Sequence, residues 1–154
     1  VAEISKWLGK GKWDVIHFNW GLHDLKYLSP KGANLADPND PKNHQQVPLD
    51  AYVKNLETLV TRMQKTGARL VWCTTTPVPS GAKGRVVGDA AKYNAAALKV
   101  MRKHGVAVDD LYTFVKPRLK EIMRPANVHF TPTGSQALAR EVAKSVLEAL
   151  DQNQ

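Results

Sequence analysis

Three short apolar runs, separated by stretches of helical periodicity, constrain this chain more than any other feature. Residues 13–19 (WDVIHFN), 68–75 (ARLVWCTT) and 106–108 (VAV) are compact, partly β-branched and nearly uncharged, as buried strands are. Between the first two, Leu49, Tyr52, Val53, Leu56, Leu59, Val60 and Met63 recur at intervals that put them on one face of a helix. That helix is expected from a cap at Asp50 to about Lys65, with Gly67 as its stop. A second helix is expected from a cap at Asp89 to His104, with Tyr93, Ala97, Leu98 and Met101 on one side and Gly105 at its end. Residues 111–123 read as partly helical, interrupted at Pro117. A last helix starts near Pro132 and reaches Leu150, with Leu138, Val142, Val146 and Leu150 at a four-residue step.

Buried strands alternating with helices imply a parallel sheet covered on both faces, a three-layer α/β/α architecture. Sites in such sheets form outside the carboxyl ends of the strands. The residues to inspect are therefore 19–24, 74–79 and 109–110, with the loop 127–131 before the last helix able to reach the same edge. Residues 29–48 form a polar connection too long for a minimal turn, either a functional loop or a mobile one.

The 154 residues suit one domain, expected over 1–150 with a frayed tail at 151–154. No apolar run approaches the roughly 18 residues that a membrane-spanning helix needs. A single cysteine, Cys73, excludes an internal disulfide. The net charge is +8, but the lysines and arginines are scattered and no RNA-binding or zinc-finger signature accompanies them. This reads as a solvated basic surface, with no nucleic-acid partner expected.

Three segments carry possible chemistry. Asn19-Trp20-Gly21-Leu22-His23-Asp24 follows a strand; its Gly permits a tight turn, and Asn and His side chains supply donors for a developing oxyanion. The plainer alternative is a turn in which Asp24 bonds local backbone. Asn127-Val128-His129-Phe130-Thr131-Pro132 places a histidine between apolar residues just before a helix, where its ring can be held rigidly as a general base. Thr74-Thr75-Thr76-Pro77 is a strand exit that either lines a pocket or simply ends the strand. No metal site is expected: His17 and His23 lie six apart, His17 inside a strand, and no Cys/His pair has zinc-like spacing.

In this order and spacing the segments resemble the SGNH hydrolase superfamily, the GDSL-like lipases and acylhydrolases. That family has a Gly-x-Asn-Asp block after its third strand and Asp-x-x-His before its last helix. Gly21-Leu22-His23-Asp24 resembles the first and Ala126-Asn127-Val128-His129 the second. The resemblance implies a flavodoxin-like SGNH fold and ester hydrolysis through a serine acyl-enzyme. It makes His129 the catalytic base and Gly21, with His23 or Asn19, the oxyanion and substrate-binding group. Asp24 and Asn127 become structural residues near the site. The implied substrate is a small-molecule ester, acylated carbohydrate among the candidates, and no metal or organic cofactor is required.

The departures from the family pattern matter equally. No Gly-Asp-Ser block follows a first strand; Gly88-Asp89-Ala90 has alanine in place of serine and opens a late helix. Residues 1–9 read as the helix leading into the family's third strand. The chain is therefore expected to be the fold without its first strands, lacking the nucleophile and inactive by itself. Without a first strand, the strand at 13–19 would present an exposed apolar edge, favouring self-association. The block-III asparagine is His23, and the triad aspartate is Ala126. His129 Nδ1 is then expected to bond a backbone carbonyl or Asn127. The competing reading is a non-catalytic binding domain of the same fold, with Trp20, Tyr27 and Trp72 available for stacking on a carbohydrate or small ligand.

Overall fold

In the computed structural model, which describes residues 1–151, helix α1 (Ile4–Leu8) leads into strand β1 (Val15–Phe18). A short antiparallel ribbon, β2 (Tyr27–Leu28) and β3 (His44–Gln45), precedes α2 (Leu49–Gln64). Then come β4 (Arg69–Cys73), α3 (Asp89–Lys103) and β5 (Ala107–Asp109). The chain continues through α4 (Leu111–Val115), a 3-10 turn (Lys116–Arg118), α5 (Leu119–Ile122) and α6 (Pro132–Asp151). β1, β4 and β5 form a parallel sheet in the order β1-β4-β5, with Val15 opposite Arg69 and Cys73 opposite Asp109. Helices cover both faces. This is the expected three-layer arrangement, with β1 and β4 shorter than their apolar runs and β5 displaced one residue toward the C-terminus.

Side chains alternate along each strand, and this divides the two layers. Leu70 and Trp72 of β4 join Phe18, the α2 face (Leu56, Leu59, Val60, Met63) and the α3 face (Tyr93, Ala97, Val100, Met101) in one buried cluster. Val71 and Cys73 point the other way, toward α6, whose carbonyls at Ala149 and Leu150 accept hydrogen bonds from the Arg69 guanidinium. Each large side chain fully buried in the cluster contributes roughly 1.5–3 kcal/mol relative to exposure. Trp72 is 0% exposed, so it is a core residue and cannot stack on a ligand.

The α6 side of the sheet is covered incompletely. Leu138, Val142 and Val146 are only half-buried, and Leu147 is 58% exposed. Among the described residues the outer edge of β1 pairs with no strand. Beside it Trp7 and Trp13 are 56% and 44% exposed and border an apolar groove with Ile4, Val15, Phe18 and Trp20. The exposed edge foreseen from the sequence is thus present.

Several local expectations need correction. Asp50 and Asp89 are not caps: they lie inside the first turns of α2 and α3, behind Pro48 and Gly88. There their negative charge still favours the helix N-terminus. The connection 29–48 is neither structureless nor wholly mobile, because the β2–β3 ribbon closes it and Val47 N–H bonds the Asp24 carbonyl at 2.9 Å. Gly105 does end α3, in a left-handed conformation: its N–H bonds Arg102 O while Val106 N–H reaches Met101 O. Asp151 belongs to α6; the rest of the expected tail, 152–154, lies outside the described residues.

Candidate active site at the carboxyl edge of the sheet

The turn after β1 is built around Gly21. It has φ 151°, and a Cβ at this position would run into the Thr75 hydroxyl, so only glycine fits. Thr75 is fixed in turn by Asn94 of α3, whose side chain accepts from Thr75 N–H at 2.9 Å and donates to Thr75 O at 2.8 Å. Asn19 donates through Nδ2 to Cys73 O at 2.6 Å and to Thr75 Oγ1 at 3.3 Å. Its two amide hydrogens are thereby committed to tying β1 to β4. His23 is exposed, and its ring makes no hydrogen bond among the described residues. Of the two candidate donors, the geometry leaves His23 available and employs Asn19 as a strut.

Asp24 is half-buried, and that burial pushes its carboxyl above the usual range. Backbone N–H groups of Asp24 and Gly21 and the nearby His23 pull in the opposite direction without cancelling the shift. Tyr52 closes the turn from below, its hydroxyl donating to Trp20 O at 2.7 Å. Burial raises this phenol's pKa too, so it stays a donor throughout the neutral range.

His129 sits in an exposed loop between α5 and α6 that is pinned at both ends. Arg124 N–H bonds His129 O, Thr131 N–H bonds Ile122 O, and Gly134 packs on the Ile122 carbonyl so closely that a Cβ would overlap it. Asn127 Oδ1 accepts twice from the same residue, from His129 backbone N–H at 3.0 Å and from the ring at Nδ1 at 2.7 Å. An amide nitrogen could not accept the backbone hydrogen, so the oxygen must face the histidine. In the neutral ring the proton therefore sits on Nδ1 and the lone pair on Nε2, the tautomer a general base needs. Ala126, at the place of the family's aspartate, is left-handed with φ 50°, and its methyl side chain offers no acceptor to orient the ring.

Two further residues of this site had not been identified from the sequence. Lys83 and Arg85 line a small groove together with Leu35, Ala126, Asn127 and His129. The loop carrying them is wedged in place: Gly84 lies against the Leu35 backbone with no room for a Cβ, and Gly81 faces Ala126. Arg85 Nε donates to Leu22 O at 3.1 Å, so one guanidinium joins the Gly21 turn to the His129 groove. Asp110 caps α4 through Thr113 and accepts from Thr74 Oγ1 at 3.1 Å, which makes the strand exit and the β5 end one structural unit.

Only one group among the described residues has the makings of a metal site: His17, Cys73 and Asp109, on three adjacent strands, with ligand atoms within 4.8 Å of one another. Spacing along the chain could not reveal it. His17 Nε2–H already donates to Asp109 Oδ2 at 2.9 Å, and burial together with Asp109 and Asp110 pushes the Cys73 thiol up to about 12. Without a metal the thiol is protonated, and the His17–Asp109 pair is an internal hydrogen bond that spans the sheet.

A parallel sheet with helices packed on both faces is the fold of SGNH-type hydrolases. The chain belongs to the GDSL-like lipase/acylhydrolase family, which matches residues 4–137. Solved structures share the fold. A lipase/acylhydrolase from Enterococcus faecalis is 20% identical with a TM-score of 0.69, over 94% of this chain and 67% of its own. A mutant acetyl-xylooligosaccharide esterase from Geobacillus Stearmophilus is 17% identical with a TM-score of 0.69, over 93% and 65%. The acetyl xylan esterase AlAXEase is 16% identical with a TM-score of 0.64, over 86% and 67%. The chain thus spans about two thirds of the length of these structures. No curated protein matches it.

Proposed function

We propose that this chain supplies the general base and part of the oxyanion site of a serine ester hydrolase, the nucleophilic serine lying outside these 154 residues. The observation that carries this reading is the double acceptance by Asn127 Oδ1, which leaves His129 Nε2 free as a base. Among the described residues, no serine, threonine or cysteine lines the groove beside His129.

In this reading the serine attacks the ester carbonyl while Nε2 of His129 takes its proton. The imidazolium that forms stays bonded through Nδ1–H to Asn127, a neutral amide in the role of the usual carboxylate. His23 N–H and backbone N–H groups hold the oxyanion. The imidazolium then protonates the leaving alcohol, and water hydrolyses the acyl-enzyme with His129 as base again. The esterases among the similar structures support an acylated carbohydrate as the substrate class.

A fluorophosphonate probe, which phosphonylates activated serines, tests the assignment. We expect the product of the whole gene to be labelled at a serine outside this chain, and the chain alone to remain unlabelled. Labelling at Ser80 or another serine of this chain, or no labelling of the whole product, would overturn it.

A further inference from the structure

We infer that the groove beside His129 takes an anionic substrate group, a carboxylate or phosphate, gripped by Arg85 with Lys83 at the rim. This rests on the reading of that groove as the substrate site and adds the charge of what enters it. Arg85 and Lys83 line the groove with His129, and among the described residues no aspartate or glutamate does. No carboxylate pairs with Arg85 among the described residues. The guanidinium is only partly exposed, and burial alone lowers its pKa, with no acidic neighbour acting on it. Partial desolvation without a counterion costs free energy, and an anionic ligand in the groove would offset that cost.

The geometry fits capture rather than a merely structural strut. Arg85 spends Nε–H on Leu22 O at 3.1 Å and one Nη1 hydrogen on Lys83 O at 3.4 Å. Of its five N–H donors, three remain, including both on Nη2. The two backbone bonds hold the planar fork in place before a ligand arrives, which suits bidentate recognition of a compact oxyanion. Leu22 immediately precedes His23, so the guanidinium is tied to the turn that carries the proposed oxyanion donor and lines the groove that holds the general base. A substrate whose negative group lies a few bonds from its ester would span both. Lys83, exposed and without a side-chain partner among the described residues, adds attraction at the rim.

Binding of three matched probes to the full chain tests this: glucuronate, glucose 6-phosphate and glucose, which share a ring and differ at C6. The Arg85 Nε–H and His129 ring resonances are followed by NMR. We expect one or both anions to shift both sets and to bind about tenfold or more tightly than glucose. Glucuronate alone would assign a uronate-type carboxylate; glucose 6-phosphate alone, a phosphate; both, any compact oxyanion. Arg85→Gln should erase the preference. Because Arg85 also braces its loop, Lys83→Glu is the second variant: it disturbs no observed bond and should weaken anion binding several-fold. Equal affinity for the three probes, shifts that miss His129, or a preference that survives both variants would overturn the proposal. These measurements need no turnover, so a gene product without an activated serine would refute the hydrolase reading and still leave anion binding to be read on its own.

Discussion

At position 127 one amide oxygen holds a histidine twice, and this sets which ring nitrogen is free. Asn127→Leu should convert the His129 ring from a single Nδ1–H tautomer to a mixture, visible in its 15N shifts; an unchanged spectrum would mean that something else orients the ring. Asp24 gives a pH test. Burial raises its folded pKa above the unfolded value, so its ionisation opposes folding at neutral pH. That penalty is complete above the folded pKa and disappears as pH falls below the unfolded value. Asp24→Asn should therefore stabilise the chain at pH 7 and lose its advantage near pH 3, as followed by denaturant midpoints. An advantage independent of pH would contradict this. Gly21 was legible in the sequence because the turn demands one residue type, and His129 stood out as a candidate because a general base calls for histidine. Arg85 was not: its role arises from a bond to Leu22, 63 residues away, and from a groove that no local pattern encodes.

The sheet's three strands and its longer helices were legible because apolar periodicity is a local signal. Caps were less so. Asp50 and Asp89 look like caps by residue type, yet each helix starts a residue or more earlier than that signal implies. The β2–β3 ribbon escaped because two-residue strands have no period to read. Asn94 also escaped: it sits on the buried face of α3, where a polar residue breaks the pattern, and its partners are the backbone of another element. Asn94→Ala strands both Thr75 backbone groups in a buried place and should cost about 2–4 kcal/mol, measured as a lower denaturant midpoint with unchanged slope. A change below about 0.5 kcal/mol would mean that water replaces the side chain.

For the whole molecule, two surfaces stand out: the apolar edge at β1 with Trp7 and Trp13, and the half-covered face of α6. A net charge of +8 opposes association by repulsion but is spread over the surface, whereas the apolar edge is local. The chain should show a weight-average mass that rises with concentration in sedimentation, and Trp7→Lys should reduce it. A sharp monomer at every concentration would show that the edge is protected. The central claim concerns His129 and is tested most directly by the rate at which the product of the whole gene hydrolyses p-nitrophenyl acetate, with His129 and with His129→Ala. The account predicts a fall in kcat of about 10³-fold or more, with the fluorophosphonate label lost as well. A variant that hydrolyses the ester within about twofold of the parent would remove His129 from the chemistry, and the catalytic account with it.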